Sequence, residues 1–286
     1  MRVVIALGGN ALLRPEDEGS FGEQEKRFKD ILNDLKEIQR NHEVILTHGN
    51  GPQVGNLLLQ QKETEEVPGM PLDVCVSMTQ GQIGYLIQKN LDNSVSVVTQ
   101  VVVDSDDLDK DPSKPVGPYY EDKIEENMVR ESGGWRKVVV SPEPERIVEI
   151  ESIENLLEND FTVVCCGGGG VPVIDKGELI GEEAVIDKDR ITSLLGRELD
   201  ADLLFFYTDI DHIYRNYDQE NEDPIDKLNV EEAREILPEL PEGSMKPKLE
   251  SAVDFVDSND EESDRKAIIG DELDLSGDSG TLIERI

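Results

Sequence analysis

Four apolar runs, each ending abruptly in a turn, constrain this chain more than any single motif does. Val3-Val4-Ile5-Ala6-Leu7 leads into Gly8-Gly9-Asn10, and Glu43-Val44-Ile45-Leu46-Thr47 into His48-Gly49-Asn50-Gly51-Pro52. Phe161 to Cys166 leads into Gly167-Gly168-Gly169-Gly170, and Leu203-Leu204-Phe205-Phe206-Tyr207 into Thr208-Asp209. Short, near-continuous apolar runs are the pattern of strands buried on both faces of a parallel sheet. Glycine at a strand end lets bare backbone N–H groups approach a ligand closely. In an open parallel sheet these ends face the ligand crevice. Several such turns in one chain point to an anionic, phosphate-bearing ligand.

The rest of the pattern agrees with a sheet covered on both faces. Glu23 to Arg40 places Phe28, Ile31, Leu32, Leu35 and Ile38 at helical spacing. Further helices are predicted from Val54 through Leu59, over Val76 to Asn90, over 152–159, over Asp189 to Glu198, near Val230 to Leu237 and over Lys248 to Val256. The β-branched run Val95 to Val103 reads as one buried strand, and Ala267 to Gly270 as the last strand. Alternation of this kind argues for an α/β fold around a mainly parallel sheet. The stretch from about Asp104 to Val148 breaks the rhythm with five prolines, the lone Trp135 and a charged segment, Glu121 to Arg130, predicted helical. An insertion of this length is read either as a lid or dimer arm, or as a decorated surface loop.

Composition narrows the function classes. The chain has 286 residues, with 64 acidic against 28 basic side chains and a formal charge of -36. Nucleic-acid binding needs a basic footprint and is not expected. The charge spreads along the chain and is not gathered into a tail. A uniformly acidic surface fits adaptation to high salt, where the Debye length shrinks to about 3 Å at 1 M. No apolar stretch is long enough for a membrane span. The chain begins directly in a strand, so no secretory signal is expected. The three cysteines make no disulfide framework, and a reducing cytoplasm is expected.

Hydrolase, zinc, Walker A and Rossmann patterns are all missing from the sequence. The three histidines lie far apart, and only His48 sits in a candidate turn, where bracing the turn is as good a reading as chemistry. Lysines in glycine- or proline-rich settings carry more information in so acidic a chain: Lys114, Lys188 between Asp187 and Asp189, and Lys248 opening a helix. Phosphoryl transfer asks for positive charge where phosphate oxygens develop charge, and for backbone donors that hold the groups in line.

The residues also carry a resemblance. Ala6 to Ala11, His48 to Gly55, Gln80 to Tyr85, Lys114 to Tyr120, Gly134-Trp135-Arg136, Gly167 to Pro172, Val185 to Asp189, Thr208 to Asp211 and Gly243 to Lys248 together resemble the carbamate kinases of the amino acid kinase superfamily. The resemblance covers nearly the whole chain. It implies a three-layer αβα sandwich, 1–286 as one domain, a protruding subdomain over the active site at about 104–148, and a homodimer. The implied reaction is reversible phosphoryl transfer between ATP with Mg²⁺ and carbamate, giving ADP and carbamoyl phosphate, often used to make ATP in arginine catabolism.

By the same resemblance, Gly8, Gly9, Asn10, Gly49, Asn50 and Gly51 would line the carbamate end. Lys114, Lys188 and Lys248 would act on the phosphoryl group, with Asp187 holding the lysines in place. Asp209, Tyr214, Gly243, Ser244, Met245 and Lys248 would serve the nucleotide, and no residue is assigned as a metal ligand. The sequence departs from the family pattern at Thr79, at Arg190 where an apolar residue is expected, and at Glu143 where a basic one is common. Alternatives are another superfamily kinase, acting on acetylglutamate, glutamate or uridylate, or a non-catalytic nucleotide-binding module.

Overall fold

The apolar runs become the middle of an eight-stranded sheet. Its order is Lys227–Asn229, Thr281–Glu284, Lys266–Gly270, Leu203–Tyr207, Arg2–Leu7, Glu43–His48, Thr162–Val164 and Ser94–Ser96. The computed structural model describes residues 1–13, 17–63, 66–131, 134–217, 219, 221–240, 245–258 and 264–285, without the side chains of Asn10, Pro118, Tyr119 and Glu131. The four runs singled out above hold four adjacent central positions and run parallel. Leu7 stands opposite both Tyr207 and His48, and the ladder continues into the turns through Gly8 N–H to Tyr207 O and Gly49 N–H to Leu7 O, each 3.0 Å. Strand order reverses beside Arg2–Leu7, a switch point at which open sheets of this kind bind ligands.

Period-two alternation divides the side chains between two cores. On one face Val4, Ala6, Ile45 and Phe206 pack against Ile191, Leu195, Leu249 and Phe255 of the helices Lys188–Glu198 and Met245–Val256. On the other, Val3, Ile5, Leu46 and Phe205 meet Phe28, Leu35, Ile83 and Leu86. Full burial of such side chains contributes about 1.5–3 kcal/mol each. This is the helix–sheet–helix layering expected. Among the described residues no helix is long and apolar enough to cross a membrane.

Several elements differ from expectation. The Glu23–Arg40 helix is two helices, Phe21–Asp30 and Leu32–Asn41, broken where Ile31 leaves helical geometry (ψ -1). The Val95–Val103 run splits into Ser94–Ser96 on the large sheet and Gln100–Val103 on a separate four-stranded sheet. The buried Gln80 side chain clamps the junction, accepting from Thr99 N–H (2.8 Å) and donating to Thr99 O (3.2 Å), so the backbone there cannot extend one ladder. Glu121 to Arg130 is not helical. Met128–Glu131 pairs instead with Gly134–Val139, a ladder partner that only the tertiary structure supplies and in which Met128 is buried. The final strand is Thr281–Glu284, which turns back antiparallel on Lys266–Gly270.

Within the irregular stretch, Lys114–Tyr120, Gly134–Val139 and Met128–Glu131 form a three-stranded sheet of their own. It sits directly on the helix Gly51–Lys62. A Cβ on Gly55 would lie 2.9 Å from Gly117 Cα, so glycine is required for that approach.

Candidate functional site

At the carboxyl ends of the central strands lies a cleft of about 210 Å³ lined by Gly49, Asn50, Gly51, Lys114, Asp187, Lys188, Asp189 and Lys248. A larger cleft, about 830 Å³, opens at the opposite, amino ends of the strands and contains none of the predicted site residues. The smaller one is the better candidate because it alone gathers the lysines.

Each lysine arrives from a different element. Lys114 starts the first strand of the three-stranded sheet, Lys188 is the first residue of the helix Lys188–Glu198, and Lys248 lies in the first turn of Met245–Val256. Two carboxylates tie them together. Asp187 caps the helix by accepting Asp189 N–H at 2.8 Å through Oδ1, and its Oδ2 accepts from Lys114 Nζ. Asp189 bridges the other two, accepting from Lys188 Nζ through Oδ1 and from Lys248 Nζ at 3.3 Å through Oδ2. Three ammonium groups against two carboxylates leave the cleft positive inside a strongly negative protein. The N-termini of the helices Gly51–Lys62 and Lys188–Glu198 add further positive potential.

Burial makes this network strong. Asp187, Asp189 and Lys248 are all less than a tenth exposed. Burial alone would raise the Asp189 carboxyl, but the nearby Lys188 and Lys248 ammonium groups outweigh it and hold the group down at about 2. Burial pushes Lys188 below the usual lysine range, reinforced by Lys248 and opposed by Asp189. Asp189 thus stays anionic and fixes the positions of two cations.

The glycine turns shape the cleft wall. Gly8 precedes the 3-10 turn Gly9–Ala11, and a Cβ on Gly49 would sit 3.5 Å from Gly9 N and 3.9 Å from Lys188 Cδ. Gly8, Gly9, Gly49 and Lys188 are therefore brought together; Asn10 shares the turn, its side chain lying outside the described residues. Gly168, Gly169 and Gly170 have φ of +66, +98 and +85. A Cβ on Gly167 would fall 2.4 Å from His48 Nε2, on Gly168 2.1 Å from Asn50 Nδ2, and on Gly169 2.1 Å from Ile186 O. The run gives clearance to the protein's own site residues. Asn50 is further oriented by donating to Thr79 Oγ1 at 2.8 Å. His48 is fully buried and held neutral, with a pKa of about 4 caused first by burial. Its Nδ1 faces Gly49 O at 3.1 Å, which makes it a brace of the turn.

The residues predicted for the nucleotide are less gathered. Asp209 follows the central strand Leu203–Tyr207 and accepts from Thr208 Oγ1 at 3.2 Å. The Tyr214 hydroxyl lies 2.9 Å from Asp211 Oδ1. Met245 is buried in the main core cluster, where its side chain packs against protein. Gly243 and Ser244 lie outside the described residues. The sequence does not single out Asp189, because acidic residues flank Lys188 on both sides; the ion-pair geometry shows that Asp189, and not Asp187, bridges Lys188 and Lys248. The two departures Arg190 and Glu143 prove to be partners in one ion pair.

A family model described as "Amino acid kinase family" matches residues 1–271. The chain is 44% identical to carbamate kinase 2 of Enterococcus faecalis over 99% of this chain and 98% of that protein. It is 43% identical to the carbamate kinase of Halobacterium salinarum over 98% and 97%. Its fold matches carbamate kinase from Giardia lamblia bound to AMP-PNP with a TM-score of 0.89 at 35% identity, covering 100% of this chain and 98% of that one.

Proposed function

The chain belongs to the amino acid kinase family and, within it, to the carbamate kinases; from that premise we propose how its residues carry reversible phosphoryl transfer between ATP and carbamate. The observation that supports this reading best is the set of three lysines held on two buried carboxylates in one cleft. In the forward direction a carbamate oxygen attacks the γ-phosphorus as the bond to the ADP oxygen breaks. Carbamate is already an anion, so no general base is needed. Gly8, Gly9, Gly49 and Gly51 present backbone N–H groups to carbamate and the migrating phosphoryl, with Asn10 and Asn50 beside them. Lys188 and Lys248 neutralise the charge that spreads over the phosphoryl oxygens, and Lys114 holds the carbamoyl phosphate end.

Asp187 and Asp189 keep these ammonium groups in place. Asp209, Tyr214, Gly243, Ser244 and the backbone at Met245 border the nucleotide. Mg²⁺ would ride on the nucleotide phosphates and offset their charge there.

The chain forms one domain in which 104–148 is a subdomain above the cleft, Lys114 at its root. The enzyme works in the cytoplasm of an organism adapted to salt, and runs toward ATP in arginine catabolism. It pairs as a homodimer through the helix Leu72–Asn90, whose Met78 and Tyr85 are exposed along with nearby Val98. The test is to replace Lys114, Lys188 and Lys248 singly with Ala and follow ATP formation from ADP and carbamoyl phosphate. Each change should lower kcat about 10²–10³-fold, the usual loss for one preorganised charge donor. Near-normal turnover in any variant removes that lysine from the mechanism. Acetyl phosphate as the better donor would overturn the choice of substrate.

A further inference from the structure

An asparagine that opens a helix normally turns its side-chain oxygen onto the helix's own free N–H groups. Asn50 does not. It precedes Gly51–Lys62 without any side-chain bond to that helix. Its Nδ2 donates to Thr79 Oγ1 at 2.8 Å, on the helix Leu72–Asn90. Its Oδ1 accepts from no described residue, yet it is not sealed from the cleft that Asn50 lines.

The hydroxyl behind the amide fixes which way it points. Thr79 is fully buried and donates its one hydrogen to Val76 O at 2.7 Å, so toward Asn50 it can only accept. The amide nitrogen must therefore face Thr79, which leaves the oxygen to the other side. Gly168 holds the amide in place as well: a Cβ there would stand 2.1, 2.2 and 2.3 Å from Nδ2, Cγ and Oδ1.

That oxygen is unusual in its surroundings. Both oxygens of Asp187 are taken, by Asp189 N–H and Lys114, and both of Asp189 by Lys188 and Lys248. Among the described side chains lining the cleft, Asn50 Oδ1 is the one acceptor still open. Carbamate differs from acetate in carrying an amino group with two N–H donors where acetate has a methyl group with none. A substrate without the donor would leave Oδ1 covered and unpaired, and a site built in this way rejects the analogue.

We propose that Asn50 Oδ1 accepts a hydrogen bond from the substrate amino group and so selects carbamoyl over acetyl phosphate, with Thr79 as the positioning residue that keeps the oxygen turned to the cleft. The proposal rests on the carbamate reading above and adds the group that reads the substrate's nitrogen.

The test measures ATP formation from ADP with each acyl phosphate, scoring acetyl phosphate by kcat/KM and by its inhibition constant against carbamoyl phosphate. Asn50→Ala should lower the preference for carbamoyl phosphate at least about tenfold, through loss of the carbamoyl phosphate value. Thr79→Val keeps the shape and removes the hydroxyl, and should lower the preference at least about threefold, whereas Thr79→Ser should keep it. Because Thr79 acts through Asn50, the double variant should match Asn50→Ala alone. A merely structural role would lower both substrates together and leave the preference intact. The proposal is overturned if Asn50→Ala keeps the wild-type preference, or if Thr79→Val lowers it further in the Asn50→Ala background. If Asn50→Ala does not fold, Thr79→Val against Thr79→Ser decides, and equal preferences overturn it. A wild type that prefers acetyl phosphate defeats the substrate reading itself, whereas a carbamoyl preference that survives these variants defeats only the role of Asn50.

Discussion

Replacing Asp189 with Asn tests the electrostatics of the site most directly. The change keeps shape and removes the one charge that bridges Lys188 and Lys248. The Asp189 carboxyl is held at about 2 against a free value of 3.8, a depression worth about 2 kcal/mol at neutral pH. Removing one member of a buried ion pair costs roughly 3–5 kcal/mol, because the partner charges stay buried. The variant should therefore lose about 2–5 kcal/mol, or roughly 4–10 °C of melting temperature for a chain of this size. Because the folded pKa is depressed, the stabilisation is present above the free value of 3.8 and is lost as pH falls through about 2. The stability gap between wild type and Asp189→Asn should stay constant from neutral pH to about pH 5 and close below about pH 4. Urea titrations at several pH values measure it. Kinetically, Lys188 loses the neighbour that keeps it protonated, so the basic limb of the pH–rate profile should move to lower pH. A variant as stable as wild type at pH 7, or a gap that widens on acidification, would refute the bridging role.

Other outcomes follow from the same structure. Gly168→Ala puts a methyl 2.1 Å from Asn50 Nδ2 at a φ of +66, whereas Gly177→Ala meets a φ of +88 in open space. Both should lose about 1–2 kcal/mol to left-handed strain, but only Gly168→Ala should also raise the KM for carbamoyl phosphate; equal KM values in the two would remove Asn50 from the site. Activity and melting temperature should rise together as KCl increases toward molar concentration, because screening relieves the repulsion of the -36 charge. Full activity and an unchanged melting temperature in dilute buffer would end the high-salt reading. Met78→Glu with Tyr85→Glu should halve the mass seen by light scattering, and an unchanged mass would place the dimer contact elsewhere.

Much of the fold and part of the site could be read from local sequence. The runs ending at Leu7, Thr47, Cys166 and Tyr207 are strands because an apolar, partly β-branched run has one good way to bury both faces, and glycine at their ends marks where the backbone must come close. Lys114, Lys188 and Lys248 stood out because an acidic chain has little use for lysines among glycine and proline. What the sequence could not determine was nonlocal. The break at Thr99 depends on Gln80 arriving from another element, and the strand at Met128–Glu131 depends on Gly134–Val139 offering it a partner. Asp187 and Asp189 look alike in sequence, each one residue from Lys188. Only the packed structure assigns Asp187 to Lys114 and the helix cap, and Asp189 to Lys188 and Lys248. Local propensity sets which segments are strands and helices, whereas burial and the convergence of distant elements decide which charges meet, and with them the chemistry of the cleft.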